Sequence, residues 1–367
     1  MISTATTTLF RYISRQFLVS FALLLLILLG LVYVFETIEL LRRAGNLSGV
    51  PFSTILKMGG LKLPYVGQII VPFAVLFAAI HACWKLNKTS ELVVIRAAGL
   101  SAWQFLSPMI IAAFLIGIAA TAVVNPAGAI LLSRFEQMEM LYLQKNSNLV
   151  TVARTGIWLR QPVEGKGYAL VHSASFDPVG WKLNDVSVLF FDAQDTFQKR
   201  ADSQTAYLRE GYWALEDASV YEGAQPPQHV PVFSLPTALT TQQLEESFAD
   251  PETISFWNIP EYIHIMKQAG FSGLRLQIYY QSLLAKPFFF AAMILLAATF
   301  SLRPQRFGGT GAMIALGVGA GFFIFFMESV LQALGLSQKI PVYLAAWTPA
   351  MVSLLLGSTA ILYLEDG

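Results

Sequence analysis

Six long apolar runs divide the chain. They are Phe17 to Phe35, Leu63 to Trp84, about Ala102 to Val124, about Leu276 to Leu302, about Gly311 to Leu331 and about Val342 to Leu364. Each approaches the ~20 residues that a helix needs to cross a bilayer. The first run follows Arg11 and Arg15, exceeds the core of a signal peptide and lacks a clear small-residue cleavage site. It therefore reads as a retained first helix that also acts as the insertion signal. The third run is expected to end at Asn125-Pro126, and the fourth carries Lys286-Pro287.

Between the third and fourth runs the pattern changes. Up to about Val150 it is still helical, with Glu136, Glu139 and Leu143 at turn spacing. From Thr151 to Leu239 short β-branched and aromatic stretches alternate with Gly, Pro, Asp and Asn, which predicts strands. Tyr207 to Trp213 reads as a hairpin, and strands at this spacing suggest a sandwich or jellyroll-like domain. Ser255 to Gly270 is helix-like and returns the chain to the apolar part. The expected fold is an α-helical polytopic membrane protein with six transmembrane helices and an inserted extracytoplasmic all-β, jellyroll-like domain. Its parts are residues 1–135 with three spans, 136–270 with the β domain and flanking helical segments, and 271–367 with three more spans.

The polar hinge between the second and third runs, Lys85 to Gln104, predicts a helix of its own at the membrane surface. Thr89 or Ser90 can cap its N-terminus, and Glu91 places negative charge in the first turn. Gly99 supplies a left-handed stop, and Ser101 with Gln104 fits a capping box for the next helix. Helices shorter than ~12 residues are marginal alone in water. Glu91 to Ala98 is short and, with Leu92, Val93, Val94 and Ile95, apolar, so it needs a surface to rest on: headgroups, its own bundle or a soluble partner.

Composition agrees with the membrane reading. Of 367 residues, 55% are hydrophobic and 13% charged, and the mean hydropathy is +0.56. A net charge of +1 gives no argument for nucleic acid, and the single Cys83 excludes an internal disulfide or a cysteine-based metal site. Arg11 and Arg15, then Lys85, Lys88 and Arg96, then Arg303 and Arg306 fall on one side of the six runs, which predicts that side and both termini to be cytoplasmic. The chain has no Walker A pattern, HExxH, GxSxG or Rossmann glycine pattern, and its four histidines are scattered, so neither ATP binding by that route nor catalysis or metal binding is expected.

Ser90-Glu91-Leu92-Val93-Val94 with Ala98-Gly99-Leu100-Ser101 resembles the coupling segment of the LptF/LptG lipopolysaccharide export permeases. The likeness extends over nearly the whole chain, through the three-plus-three spans and the inserted β domain. Two segments resemble the LptG branch more than LptF: Glu261-Tyr262 through Lys267 to Gly270, and Arg42-Arg43-Ala44-Gly45. The chain departs from that branch in carrying Glu36 and Glu39 about where a further lysine can stand.

The resemblance implies a multi-pass subunit of the bacterial inner membrane with its β domain in the periplasm. Its implied partners are the cytoplasmic ATPase dimer LptB, the permease subunit LptF, the bridge proteins LptC and LptA, and lipopolysaccharide. No cofactor is expected in this chain, ATP and Mg being bound by the ATPase. Ser90, Glu91, Leu92, Ile95, Arg96 and Gly99 are the implied ATPase-coupling residues, with Leu92 or Ile95 filling an apolar groove on it. Arg42 and Arg43, with Lys62 and Lys286, are expected to meet lipid phosphates, where guanidinium groups bind bidentately. Gly317 and Gly321 allow close helix packing; the resemblance makes them part of a gate against the partner subunit's first span. The alternatives are the paired LptF-type subunit, and a lipoprotein-releasing or mechanotransmitting permease, which typically has four spans and a larger outer domain.

Overall fold

The computed structural model describes residues 2–45, 50–143, 149–153, 156–163, 167–177, 182–192, 194, 196–209, 211–223, 226–237, 250–268, 273–301 and 310–366. Arg303 and Arg306, and Gly270 at the end of the segment that begins with Glu261-Tyr262, lie outside them. Among the described residues six helices are long and apolar enough to cross a membrane. They are α1 (Ile2–Ala44), α2 (Phe52–Lys88), α4 (Ala102–Ala119) continuing through a π turn into α5 (Asn125–Tyr142), α7 (Leu274–Ser301), α8 (Thr310–Leu336) and α9 (Val342–Asp366). The short α3 (Glu91–Ala97) joins α2 to α4, and α6 (Ile259–Gln268) precedes α7. The described residues form two units, one of the spans with Ser255–Trp257, the other of Glu139–Ile254 and Asn258–Leu276.

The apolar run of the third span ends at Asn125-Pro126, but the helix continues to Tyr142, in keeping with the helical pattern read up to about Val150. The π turn Ala120–Val124 carries the helix through, the N–H of Asn125 donating to the carbonyl of Ala120. A single π turn lets a helix accommodate a residue that cannot keep the regular ladder. The loosened carbonyls are used: Trp257 Nε1 donates to Ala122 O at 3.2 Å.

In lipid every backbone polar group must find a protein partner. Pro287 removes one N–H from α7 and so frees the carbonyl of Leu283; Thr121 Oγ1 donates to it at 3.0 Å. Gly117 makes this approach possible, since a Cβ there would collide with the backbone of Pro287. One turn further on, Asn125 is fully buried. Its Nδ2 donates to Tyr279 Oη at 2.9 Å and Gln68 Oε1 at 3.3 Å, and its Oδ1 accepts from the N–H of Phe256 at 2.9 Å. One side chain thus ties the second, third and fourth spans to the segment that precedes α6.

The inserted domain is one antiparallel sheet of seven strands in sequential order: β1 (Leu149–Ala153), β2 (Gly156–Val163), β3 (Gly167–Asp177), β4 (Lys182–Phe191), β5 (Phe197–Arg209), β6 (Tyr212–Glu222) and β7 (Gln228–Pro236). The predicted hairpin is present, with Arg209 opposite Tyr212 and Gly211 at φ +82. The Greek-key crossovers of a jellyroll do not occur among the described pairings; the order is a meander. The meander nevertheless curls, because Gln161 Nε2 on β2 donates to Pro236 O on β7 at 3.3 Å, and Phe190 on β4 meets Phe233 on β7. Leu159, Val171, Val188, Leu215, Leu235 and Trp213 are buried in this unit.

The ladder is interrupted in the same way at two positions, with the register kept on either side. Asp185 and Asp217 adopt positive φ of 50 and 48. Beside each, a buried serine covers the displaced carbonyls: Ser173 Oγ donates to Asn184 O and Ser175 O, and Ser203 Oγ to Glu216 O and Thr205 O. The register shifts between Phe190 and Phe191, where β4 pairs with β5, and such an irregularity raises local twist, which a curled sheet needs.

Candidate functional site

The corner that holds α3 is built by local backbone geometry. Ser90 adopts φ +60 and turns the chain out of α2. The hydroxyl of Thr89 does not cap α3 as the sequence suggested; it donates back to Lys85 O at 3.0 Å and to Glu91 Oε1 at 2.9 Å. At the far end Gly99 stands at φ +79, the N–H of Leu100 donates to Ile95 O at 3.4 Å, and the Ser101–Gln104 capping box starts α4. Both termini of α3 are therefore fixed by residues that the sequence singled out. Arg96 lies on α3 as well.

The orientation of α3 corrects one expectation. Leu92 and Ile95, three residues apart on one face, are only 6% and 8% exposed and belong to the core of their own chain. They anchor α3 and have no free surface with which to fill a groove elsewhere. Val93 and Val94 point outward and are 64% and 68% exposed. Glu91 stays at the edge, accepting from Tyr12 Oη on α1 at 3.4 Å. This bond places the beginning of α1 and the hinge at the same end of the bundle, as the distribution of basic residues requires.

At the opposite end of α1 the basic pair is engaged. Arg42 donates through Nε and Nη2 to both oxygens of Glu39, at 2.9 and 2.8 Å, and Arg43 Nε donates to Glu39 Oε1 at 3.1 Å. Lys62 Nζ pairs with Glu36 Oε2 at 2.9 Å and lies over the ring of Phe135. Arg42, Arg43 and Lys62 against Glu36 and Glu39 leave one net positive charge in this cluster. The fork of Arg42 is filled by its own chain, so a phosphate has to displace Glu39 to bind there bidentately.

Lys286 also has an internal counterpart, Glu328 on α8, with which it interacts electrostatically. Glu328 Oε1 accepts from Gln332 Nε2 at 3.3 Å, and the same nitrogen lies 3.4 Å from Ser282 Oγ on α7. Glu328, Gln332 and Ser282 are linked between two spans, and charge inside a membrane usually faces the bundle interior in this way. Gly317 and Gly321 are likewise internal. A Cβ on Gly317 would press on Ile80 and Phe300, and one on Gly321 would collide with Leu76. They pack α8 against α2 of the same chain, the close bundle packing that two small residues one turn apart allow.

The family described as "Lipopolysaccharide export system permease LptF/LptG" matches residues 11–364. The chain is 22% identical over 351 residues to the lipopolysaccharide export system permease protein LptG of Haemophilus influenzae, covering 94% of this chain and 95% of the relative. To the LptG protein of Escherichia coli it is 23% identical over 353 residues, covering 93% and 94%. To the LptF protein of Escherichia coli it is 26% identical over 210 residues, covering 55% and 56%.

Proposed function

The chain belongs to the LptF/LptG family of lipopolysaccharide export permeases, and we propose that it serves as the LptG-type half of that exporter, driven by an ATPase docked on α3. It is a transmembrane subunit and not itself an enzyme. The LptG assignment is supported by relatives that span nearly the whole chain, against about half for LptF. In this reading LptB hydrolyses ATP in the cytoplasm, LptF completes the pore, and lipopolysaccharide leaves the membrane toward LptC and LptA.

The observation that carries the reading is the posture of α3. It is fastened to the bundle by Leu92 and Ile95 and offers Val93 and Val94 to a partner. A seven-residue helix with two exposed valines is unfavourable in water unless covered. The α3 end carries Arg11, Arg15, Lys85 and Lys88, which supports a cytoplasmic α3 end and a periplasmic β domain. Of the two edge strands, β7 contains Pro231 and Pro236, whereas β1 has no proline. A bridge protein that adds a strand would therefore join at β1.

The orientation is tested with cysteines at Ser3, Gly180 and Gly309 after replacement of Cys83. An impermeant thiol reagent applied from outside is expected to label Gly180→Cys alone. Labelling at Gly309→Cys with none at Gly180→Cys would reverse the orientation.

The lipid-capturing role of Arg42 and Arg43 yields a prediction of opposite sign for two variants. Photocrosslinking of lipopolysaccharide beside the pair should fall severalfold in Arg42→Glu/Arg43→Glu, which takes the cluster from +1 to −3. It should rise in Glu39→Gln, which leaves the guanidinium fork free. Unchanged crosslinking in both variants would make the pair a helix-end anchor held by Glu39.

A further inference from the structure

A second group of cations, at the α3 end of the bundle, lines a groove that the transport reading does not use. The groove lies between α1, α2 and α8 and has a volume of about 810 Å³. Arg15 and Lys85 line it and are exposed, with no ion pair among the described residues. In this they differ from Arg42, Arg43 and Lys62, each held by a carboxylate. His81 lines it as well and is tied through Nδ1 to Ser20 Oγ at 3.0 Å. Further along, the lining is apolar, with Leu23, Phe77 and Val318.

The groove has the polarity of an amphiphile. Arg15 to Leu23 on α1 and Lys85 to Phe77 on α2 are both eight residues, or ~12 Å of helix. That is most of one leaflet of a ~30 Å hydrocarbon core, with charge at the surface end and hydrocarbon at depth. Gln16 adds a specific demand. Its Nε2 is buried without a hydrogen-bond partner, and an amide NH₂ only donates. A buried donor of this kind calls for an acceptor, and a phosphate or ester oxygen between two cations supplies one. The volume falls within the ~300–1,000 Å³ of pockets for one small ligand, too little to enclose a lipid with many chains.

We propose that this groove binds one anionic phospholipid of the leaflet on the α3 side, its phosphate between Arg15 and Lys85 and against the Gln16 amide, one acyl chain along Leu23, Phe77 and Val318. The site does not depend on the transport reading. It reaches α3 all the same: Tyr12 also lines the groove and donates to Glu91, so the lipid sits one hydrogen bond from the docking helix.

The test uses the full chain in nanodiscs of phosphatidylcholine containing a photoactivatable phosphatidylglycerol, and in parallel a photoactivatable phosphatidylcholine. Labelling of α1 and α2 is expected to be severalfold higher with phosphatidylglycerol. It should fall to the phosphatidylcholine level in Arg15→Gln/Lys85→Gln, whose changes are on exposed positions, and in Val318→Trp, which fills the groove. Soluble glycerol phosphate should not compete, and neither should added lipopolysaccharide. In native membranes, benzoylphenylalanine placed at Val19, which lines the groove, should yield a lipid adduct. Equal labelling by the two lipids, labelling unchanged in Arg15→Gln/Lys85→Gln, competition by glycerol phosphate or lipopolysaccharide, or a protein adduct at Val19 would each overturn the proposal.

Discussion

Membranes carrying Val93→Glu/Val94→Glu should retain the permease and lose the ATPase. Burying a valine against a partner contributes ~1.5–3 kcal/mol, so losing two corresponds to a drop of at least ~10²-fold in affinity. The added carboxylates would also require desolvation at the contact, which enlarges the effect. Both positions are exposed in the chain itself, so the fold should be untouched: the melting temperature in detergent stays that of the unmodified chain. Leu92→Ala gives the contrasting result. Leu92 is a core residue, and truncating such a residue costs ~2–5 kcal/mol of the chain's own stability. Its variant should melt lower. The measurement is the amount of ATPase that co-purifies, beside a thermal melt of the permease. Undiminished ATPase with Val93→Glu/Val94→Glu would remove α3 as the docking element.

The second large effect is expected at Asn125. Asn125→Leu keeps the volume and removes three hydrogen bonds that join the spans to Phe256. Leaving buried partners unsatisfied costs ~1–3 kcal/mol each, so the sum exceeds ~3 kcal/mol. Within lipid the loss cannot be offset by water. The variant should show a marked drop in melting temperature and faster proteolysis near Phe256 and Trp257. Tyr279→Phe removes only one of the three bonds and should be mild. If the two variants melt alike, the node is not an anchor, and the order of the second, third and fourth spans rests on apolar packing alone.

Much of the architecture was legible from the chain because long-range context hardly enters it. A 20-residue apolar run has one stable fate in a bilayer, and all six runs became helices. The short helix α3 was legible for a different reason. Gly99 and the Ser101–Gln104 box are local devices whose geometry is fixed by two to four residues, and both formed as written. The strands were legible by alternation, although β1 begins two residues before the expected boundary at Thr151. Strand order was not legible, since each strand's pattern is equally compatible with a meander or a Greek key.

The sites divide differently. The sequence by itself determined which residues carry charge, which runs enter the membrane and where the short helix begins and ends, because these follow from composition and neighbours along the chain. Only the tertiary structure decided which side of α3 faces outward. Leu92, Val93, Val94 and Ile95 are all apolar, and burial is a property of what lies opposite. The same holds for the charges. Glu39 closes on Arg42 and Arg43, Glu36 on Lys62, and Glu328 approaches Lys286 from another span. Arg15 and Lys85 remain open beside an apolar groove. Whether a cation is spent or available depends on distances of a few ångströms between helices, and the order of residues does not contain those distances.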